Sequence, residues 1–320
     1  LNNQVAELDV ATSENSIQES IAQIYIQILY AAESVRVNEN TLQVSIAQRD
    51  RGQELLNAGS IAKSDFAQLE AQVSTDRYQL VTAQATLQDY KLQLKQLLEL
   101  DGENEMNIYL PALSDENVLS PLPAKRDVYV SALALRPEIE ASKLNVNASE
   151  LGIDIAKSGY LPTVSLSAGI GTNHTSGSDF TFSEQVKNGW NNSIGLSVSV
   201  PIFNNRQTKS AVQKAKLQYE TSMLSLLDEQ KALYKTIEGL WLDANSAQQR
   251  YAAANEKLKS TQISYNLISE QFNLGMKNTV ELLTEKNNLL QAQQEQLQAK
   301  YMAILNTQLL KFYQGDKLAL

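Results

Sequence analysis

The chain has 320 residues, with 13 Gly, 6 Pro and no Cys, and its formal net charge is −9. The negative charge argues against a nucleic-acid partner, because phosphate binding relies on clusters of Lys and Arg. The lack of Cys excludes disulfides and thiolate metal sites, and no stretch of about 18 apolar residues marks a conventional membrane-spanning helix.

Residues 1–100 are free of proline and are predicted to form a helical hairpin whose tip lies near residues 57–62. The returning helix is expected from about Ala62 to Leu100, ending before a turn at Asp101 and Gly102. Its apolar residues recur at coiled-coil spacing: Phe66, Leu69, Val73, Leu80, Ala83, Leu87, Tyr90, Leu94 and Leu97.

Residues 101–135 contain three of the six prolines and no clear long period, which predicts an irregular segment. A helix is then expected over residues 136–160. It should begin at Pro137, because proline is favourable at the first helical position.

The period changes from 3.6 to 2 within residues 161–203, which predicts a β-hairpin with a polar loop over 172–190. Apolar residues alternate with Ser and Gly in both strands: Val164, Leu166, Ala168 and Ile170 in the first, Ile194, Leu196, Val198, Val200 and Ile202 in the second. One face apolar and one face small-polar suits a strand between lipid and water. A soluble hairpin packed on a helix would show the same pattern.

Residues 204–313 are predicted to form a second helical hairpin with its tip near 273–278, followed by a tail at 314–320. Its first helix would be roughly 100 Å long at 1.5 Å per residue. The periodicity alone also permits an ordinary helical bundle or filament. The seam runs through Leu233, Ile237, Leu240, Ala244, Ala247, Tyr251, Ala254, Leu258, Tyr265, Ile268 and Phe272.

The two helical hairpins are copies of an internal repeat at an offset of 216 residues. Residues 56–59 match 272–275, and a carboxylate follows each glycine six residues later, Asp65 and Glu281. The second copy is preceded by the helix and strands of residues 137–202, whereas the first copy has no such segment. We therefore expect the parent protein to carry an upstream helix and β-hairpin that are absent from this chain.

Nearly the whole chain resembles the TolC family of outer-membrane efflux proteins, the outer membrane factors of tripartite efflux or type I secretion systems. The resemblance rests on the order and spacing of residues 136–139, 159–162 and 196–203 and of the two tips. Each tip has a Gly-x5-carboxylate pattern followed by an apolar residue.

The resemblance implies a mainly α fold with a β-hairpin, in which long antiparallel coiled-coil helices form a trimeric α-helical tunnel. The strands would contribute to a shared transmembrane β-barrel, making residues 161–203 a transmembrane β-hairpin with an external loop. Residues 101–135 would be the equatorial region of the tunnel. The implied location is the outer membrane of a Gram-negative bacterium, in contact with lipid and extending into the periplasm.

The function implied by the resemblance is that of a passive exit channel gated at its periplasmic tips, with no enzymatic activity, cofactor or metal. Its partners would be two further copies, a periplasmic adaptor (membrane fusion) protein and an inner-membrane transporter. The family's gate carries over to the tip residues Gly59, Ser64, Asp65, Gly275 and Lys277, with an expected contact between Lys277 and Asp65.

Glu281 matches a carboxylate that lines the family's entrance, where three copies would form a negative ring favouring cations. Thr284 departs from the family, which often has a second carboxylate at this position. Lys277 and Asp65 could instead be solvated charges, and Glu281 a plain helix-face residue. His174 is the only histidine, so a His-cluster metal site within one chain is excluded.

Two other classes of protein remain possible. A periplasmic adaptor would also have a coiled-coil hairpin, but it should add Gly-rich lipoyl-like and soluble barrel domains, and none is apparent. A cytoplasmic structural coiled-coil protein would leave the alternating strands and the repeat unexplained.

Overall fold

A computed structural model describes residues 1–100, 108–109, 111, 118–177 and 179–318. Its elements are, in chain order, α1 (Asn2–Asn57), α2 (Lys63–Leu97), α3 (Lys125–Leu135), α4 (Pro137–Ser158), β1 (Thr163–Gly171), α5 (Phe182–Asn188), β2 (Asn191–Ser199), α6 (Gln207–Asn273) and α7 (Thr279–Gln314). The predicted mainly α fold with one β-hairpin is confirmed. The predicted turn at residues 101–102 and most of the segment up to residue 117 lie outside the described residues.

None of the described helices has an apolar stretch long enough to cross a bilayer. The chain divides into two units. The first unit comprises residues 1–6 and 141–228, and the second comprises residues 7–140 and 229–320.

In the first unit, β1 and β2 pair antiparallel, with Leu166 opposite Leu196 and Ser167 opposite Gly195. Helix α4 begins at Pro137, as predicted. The part of α4 in this unit meets α6 through small polar side chains. The hydroxyl oxygens of Ser149 and Ser222 lie 2.7 Å apart.

The connection between the strands contains a helix, α5, that the sequence analysis missed. Thr181 and Glu184 form a reciprocal cap, in which the Thr181 N–H donates to Glu184 Oε2 at 2.9 Å and the Glu184 N–H to Thr181 Oγ1 at 3.4 Å. The Gln185 side-chain oxygen accepts the Thr175 N–H at 2.7 Å. These bonds hold α5 against the first part of the connection. The Thr-x-x-Glu spacing is the sequence signal that could have revealed it.

The second unit packs α1, α2, α3, α7 and the remainder of α6 around two apolar clusters and a smaller one near the tips. Much of the predicted seam of α6 is buried: Leu233, Ile237, Ala244, Ala247, Tyr251, Ala254 and Phe272. Helix α3 packs on α7 and buries Val128 and Ala132. The sequence predicted an irregular segment here. That prediction was wrong for α3, because a helix of 11 residues is too short to show a long period.

Arg136, at the junction of α3 and α4, joins three parts of the second unit. Its guanidinium donates to Glu19 of α1 at 2.8 Å and to Glu138 at 2.9 Å, and its Cζ atom lies 4.0 Å from the ring centroid of Tyr313. The side chain is only 9% exposed. A planar fork that stacks on a ring while bonding two carboxylates requires arginine at this position.

Candidate functional site: the hairpin tips and the strand face

The two tips have the same backbone turn at equivalent positions of the repeat. Gly59 has φ of 72° and Gly275 has φ of 74°, the left-handed region that glycine enters without steric cost. The N–H groups of Gly59 and Ser60 donate to the carbonyls of Leu56 and Leu55. The N–H groups of Gly275 and Met276 make the same two bonds, to Phe272 and Gln271. The first helix of each hairpin thus ends in a Schellman motif.

The carboxylates of the repeat motif cap the returning helices. The Ala62 N–H donates to Asp65 Oδ2 at 3.4 Å, and the Asn278 N–H donates to Glu281 Oε2 at 3.2 Å. Asn278 completes a capping box, because its side-chain oxygen accepts the Glu281 N–H at 2.9 Å. The carboxylate at this spacing therefore has a structural role in both copies.

Lys277 pairs within its own tip. Its Nζ atom lies 2.6 Å from Glu281 Oε1, and both side chains are partly exposed. The hydrogen bond from Lys277 lowers the pKa of Glu281, and the backbone N–H of Asn278 lowers it further. Lys277 lies just before α7, and within this chain its ammonium bonds to Glu281 four residues later. The expected contact between Lys277 and Asp65 stays a prediction.

Ser64 is exposed beside Asp65, as a tip residue would be. Glu281 has one oxygen on Lys277 and the other on the Asn278 N–H. A ring of Glu281 carboxylates would therefore have a weaker negative field than three free carboxylates.

Directly behind the tips, a small apolar cluster joins the two hairpins. Leu69 of α2, Phe272 of α6 and Leu282 of α7 are almost fully buried in it. Gly52 of α1 makes this packing possible, because a Cβ atom at that position would lie 2.3 Å from a methyl carbon of Leu69.

Farther from the tips, the two hairpins meet through buried polar groups. Asp76 of α2 forms an ion pair with Lys286 of α7, and the Ser45 hydroxyl of α1 donates to the same carboxylate oxygen at 2.5 Å. The Gln48 amide donates to the Tyr265 hydroxyl at 2.8 Å. Burial lowers the pKa of Lys286, although its bond to Asp76 opposes this effect.

The sequence analysis did not identify Asp76 or Lys286. Each stands among polar neighbours in the sequence, which reads as a solvated helix face, and each partner lies in the other copy of the repeat. Only the packing of α2 against α7 reveals the pair.

The strand face in the first unit exposes a continuous set of large apolar side chains to its surroundings. On this apolar face, the exposed fractions are 65% for Val164, 75% for Leu166, 74% for Ile170, 83% for Ile194, 70% for Leu196 and 60% for Val198. The residues that alternate with them, on the opposite face, are only Ser, Gly and Asn from Ser165 to Gly171 and from Asn191 to Ser199. A patch of this kind marks contact with an apolar partner.

Aromatic side chains stand at both ends of the strands. Tyr160 and Phe203 are exposed near one end, and Trp190 and Phe180 near the other. Aromatic residues at both ends of an apolar band are typical of strands that sit between the two interfaces of a bilayer.

No catalytic or metal site emerges from the part of the chain that the structure describes. No group of three or more His, Asp or Glu side chains there could hold a metal ion. The His174 ring lies 3.1 Å from the Gln185 side-chain oxygen and edge-on to Phe182, so its contacts belong to the folded loop.

The sequence profile described as outer membrane efflux protein matches residues 128–315, which is more than half of the chain. The chain is 24% identical over 294 residues to the outer membrane efflux protein BepC of Brucella suis, covering 91% of this chain and 61% of BepC. It is also 24% identical over 316 residues to the outer membrane protein TolC of Escherichia coli, covering 94% of this chain and 62% of TolC.

Among solved structures, one of CusC superposes with a TM-score of 0.82 at 19% identity, over 98% of this chain and 71% of the CusC chain. That likeness establishes the fold. The chain spans about three fifths of the length of the two curated relatives.

Proposed function

The chain belongs to the outer membrane efflux protein family, and from that premise we propose that the protein is a passive exit channel of a tripartite efflux or type I secretion system. The single observation that carries the proposal is the combination, in one chain, of an apolar strand face with the repeated coiled-coil hairpins. The strands would sit in the outer membrane and the hairpins would reach into the periplasm. Transport energy would come from the partner pump, so the channel itself needs no catalytic residue.

The length of the strands fits a membrane location. Nine residues in each strand rise about 30 Å, and a tilt of 35–45° reduces this to roughly the 25 Å apolar band of outer-membrane proteins. The edges of a two-stranded sheet leave N–H and C=O groups unsatisfied in lipid. The hairpin would therefore pair with further strands, and we propose that further copies of the protein supply strands to a shared barrel.

The tips are the proposed gate. Three copies would bring six tips together around one axis, each held by its left-handed glycine and its capping carboxylate. Lys277 is the residue best placed to change partner, because it is partly exposed and, among the described residues, pairs with Glu281 alone. In the closed state, we propose that Lys277 approaches Asp65 or Ser64 of a neighbouring tip. A periplasmic adaptor and an inner-membrane transporter would then open the channel.

The other classes of protein fit less well. Neither an adaptor nor a cytoplasmic coiled-coil protein explains an apolar strand face with aromatic residues at both ends. The family match also argues against these two classes.

The deciding experiment is a planar-bilayer conductance recording on the purified full-length protein, together with its mass in detergent. Trimers that give small channels, with a larger leak in Lys277→Glu than in the wild type, support the channel and its gate. A monomer without conductance contradicts the channel. Equal leakage in the two proteins contradicts the gate.

A further inference from the structure

The ion pair between Asp76 and Lys286 is the most enclosed pair of opposite charges in the described part of the chain. The Asp76 side chain is 1% exposed and the Lys286 side chain 3%. The exposed pair of Lys257 and Glu295, by comparison, has side chains 45% and 42% exposed. Both pairs join two helices, but only the first is closed off from water.

The Asp76 carboxylate receives donors from both hairpins. Oδ2 accepts from Lys286 of the second hairpin and from Ser45 of the first, and Oδ1 accepts from Gln72 at 2.9 Å. Three donors therefore satisfy both oxygens of this buried carboxylate. The charges are therefore satisfied only while α1, α2 and α7 keep their present packing.

The pair lies close to the proposed gate. Lys286 follows Glu281 by about one and a half helical turns, and Asp76 follows Asp65 by about three. The apolar tip cluster of Leu69, Phe272 and Leu282 precedes the pair on both returning helices. If one tip moves away from the other, the helices that carry Asp76 and Lys286 must also separate at this pair.

Apolar packing near the pair is thin on α1. Three of its four buried residues over 32–51 are polar, and only one is apolar: Asn38, Leu42, Ser45 and Gln48. Such a segment gives less apolar adhesion between the hairpins than the core around Ile26 and Leu29. The specific polar contacts must then decide how the hairpins pack here.

We infer that Asp76 and Lys286 form a buried latch between the two hairpins, which holds the tips in their closed packing independently of the exposed Lys277 and Glu281 pair. This inference rests on the proposed function, and it assigns Asp76 and Lys286 as positioning residues of the proposed gate. Removing one buried charge leaves the other without a partner, which is strongly unfavourable. The hairpins can relieve this by parting and admitting water to the remaining charge.

The test is a conductance recording on the full-length protein carrying Lys286→Met, with Lys257→Met as the matched control. An unpaired buried Asp76 should raise the leak without partners by about tenfold or more, because loss of one partner of a buried pair is far costlier than loss of an exposed one. Lys257→Met should leave the leak near the wild-type level. A Lys286→Met leak equal to that of the control overturns the latch.

The double variant Asp76→Leu/Lys286→Met covers the case in which the single variant assembles poorly. Two apolar side chains can replace a buried pair without leaving a lone charge, so assembly should return while the leak stays above the wild-type level, because the specific contact that holds the tips is gone. A double variant that assembles and leaks no more than the wild type overturns the latch. Wild-type protein without channels contradicts the proposed function itself, whereas wild-type channels with an unchanged Lys286→Met leak contradict the latch alone.

Discussion

Gly59 and Gly275 occupy equivalent positions of the repeat and have the same left-handed backbone, with φ of 72° and 74°. Apart from the glycine and its two chain neighbours, no described residue has an atom within 4 Å of the position that a Cβ would take at either site. The requirement for glycine at the tips is therefore conformational and does not come from packing. This separates the effect of backbone strain from the effect of a clash.

Gly59→Ala and Gly275→Ala should each destabilise the folded protein by roughly 1–2 kcal/mol, because a side chain in the left-handed region is strained. Gly239→Ala is the control. It lies inside α6 with equally open surroundings, so alanine should stabilise by about 0.5–1 kcal/mol. Thermal denaturation in detergent, followed by circular dichroism, should show midpoint shifts of opposite sign. Shifts of the same sign contradict the assignment of these turns.

Lys277→Met should raise the pKa of Glu281 toward the usual value for a glutamate, because the hydrogen bond from Lys277 is the main cause of its lowered pKa. In the folded wild type, the carboxylate stays ionised to lower pH than in the unfolded chain. Its stabilising contribution is fully present above the unfolded pKa of about 4.3 and is lost as the pH falls through the folded pKa.

Cation preference, measured from reversal potentials across a salt gradient, should report this titration if Glu281 lines the entrance. The preference should fall at a higher pH in Lys277→Met than in the wild type. Glu281→Gln, the control, should lack this titration. An identical pH profile in all three proteins would place the selectivity elsewhere.

The sequence predicted those features that depend on local pattern. Period-2 alternation located the strands, and the repeated glycine and carboxylate located both tips. It missed α3 and α5, which are too short for a period to stand out. The contact between Lys277 and Asp65 stays a prediction, and within one chain Lys277 pairs with Glu281 four residues later. Asp76 and Lys286 were missed for another reason. Their burial depends on how two helices that are distant in sequence pack together, and a local sequence pattern does not contain that information.

Arg136→Met should destabilise the second unit by about 3–5 kcal/mol, because it leaves the partly buried Glu19 and Glu138 without their shared cation. Arg136→Lys should cost less, since the charge remains while the fork and the stacking on Tyr313 are lost. Lys125→Met, which removes an exposed pair with Glu238, should change stability by no more than about 1 kcal/mol.

Tyr313 gives a second readout of the same site. Burial and the nearby Glu19 raise its pKa to about 12, and Arg136 opposes that rise. In Arg136→Met the Tyr313 phenol should therefore titrate at still higher pH, visible as a delayed rise in phenolate absorbance against a Tyr313→Phe reference. A titration that moves to lower pH would mean that Arg136 does not act on Tyr313 through its charge.

Leu166 and Ser167 are neighbours on opposite faces of β1, which allows the proposed lipid contact to be tested with one substituent. Leu166→Arg places a charge on the apolar face and should destabilise the membrane-inserted protein by about 2–4 kcal/mol if that position is near the bilayer midplane. Ser167→Arg places the same charge on the small-polar face, opposite Gly195, where water would solvate it. The amount of folded, protease-resistant protein recovered in lipid vesicles should therefore fall for Leu166→Arg and stay near the wild-type level for Ser167→Arg. The reverse order would mean that the apolar face packs against protein. That result would contradict the proposed membrane location of the strands.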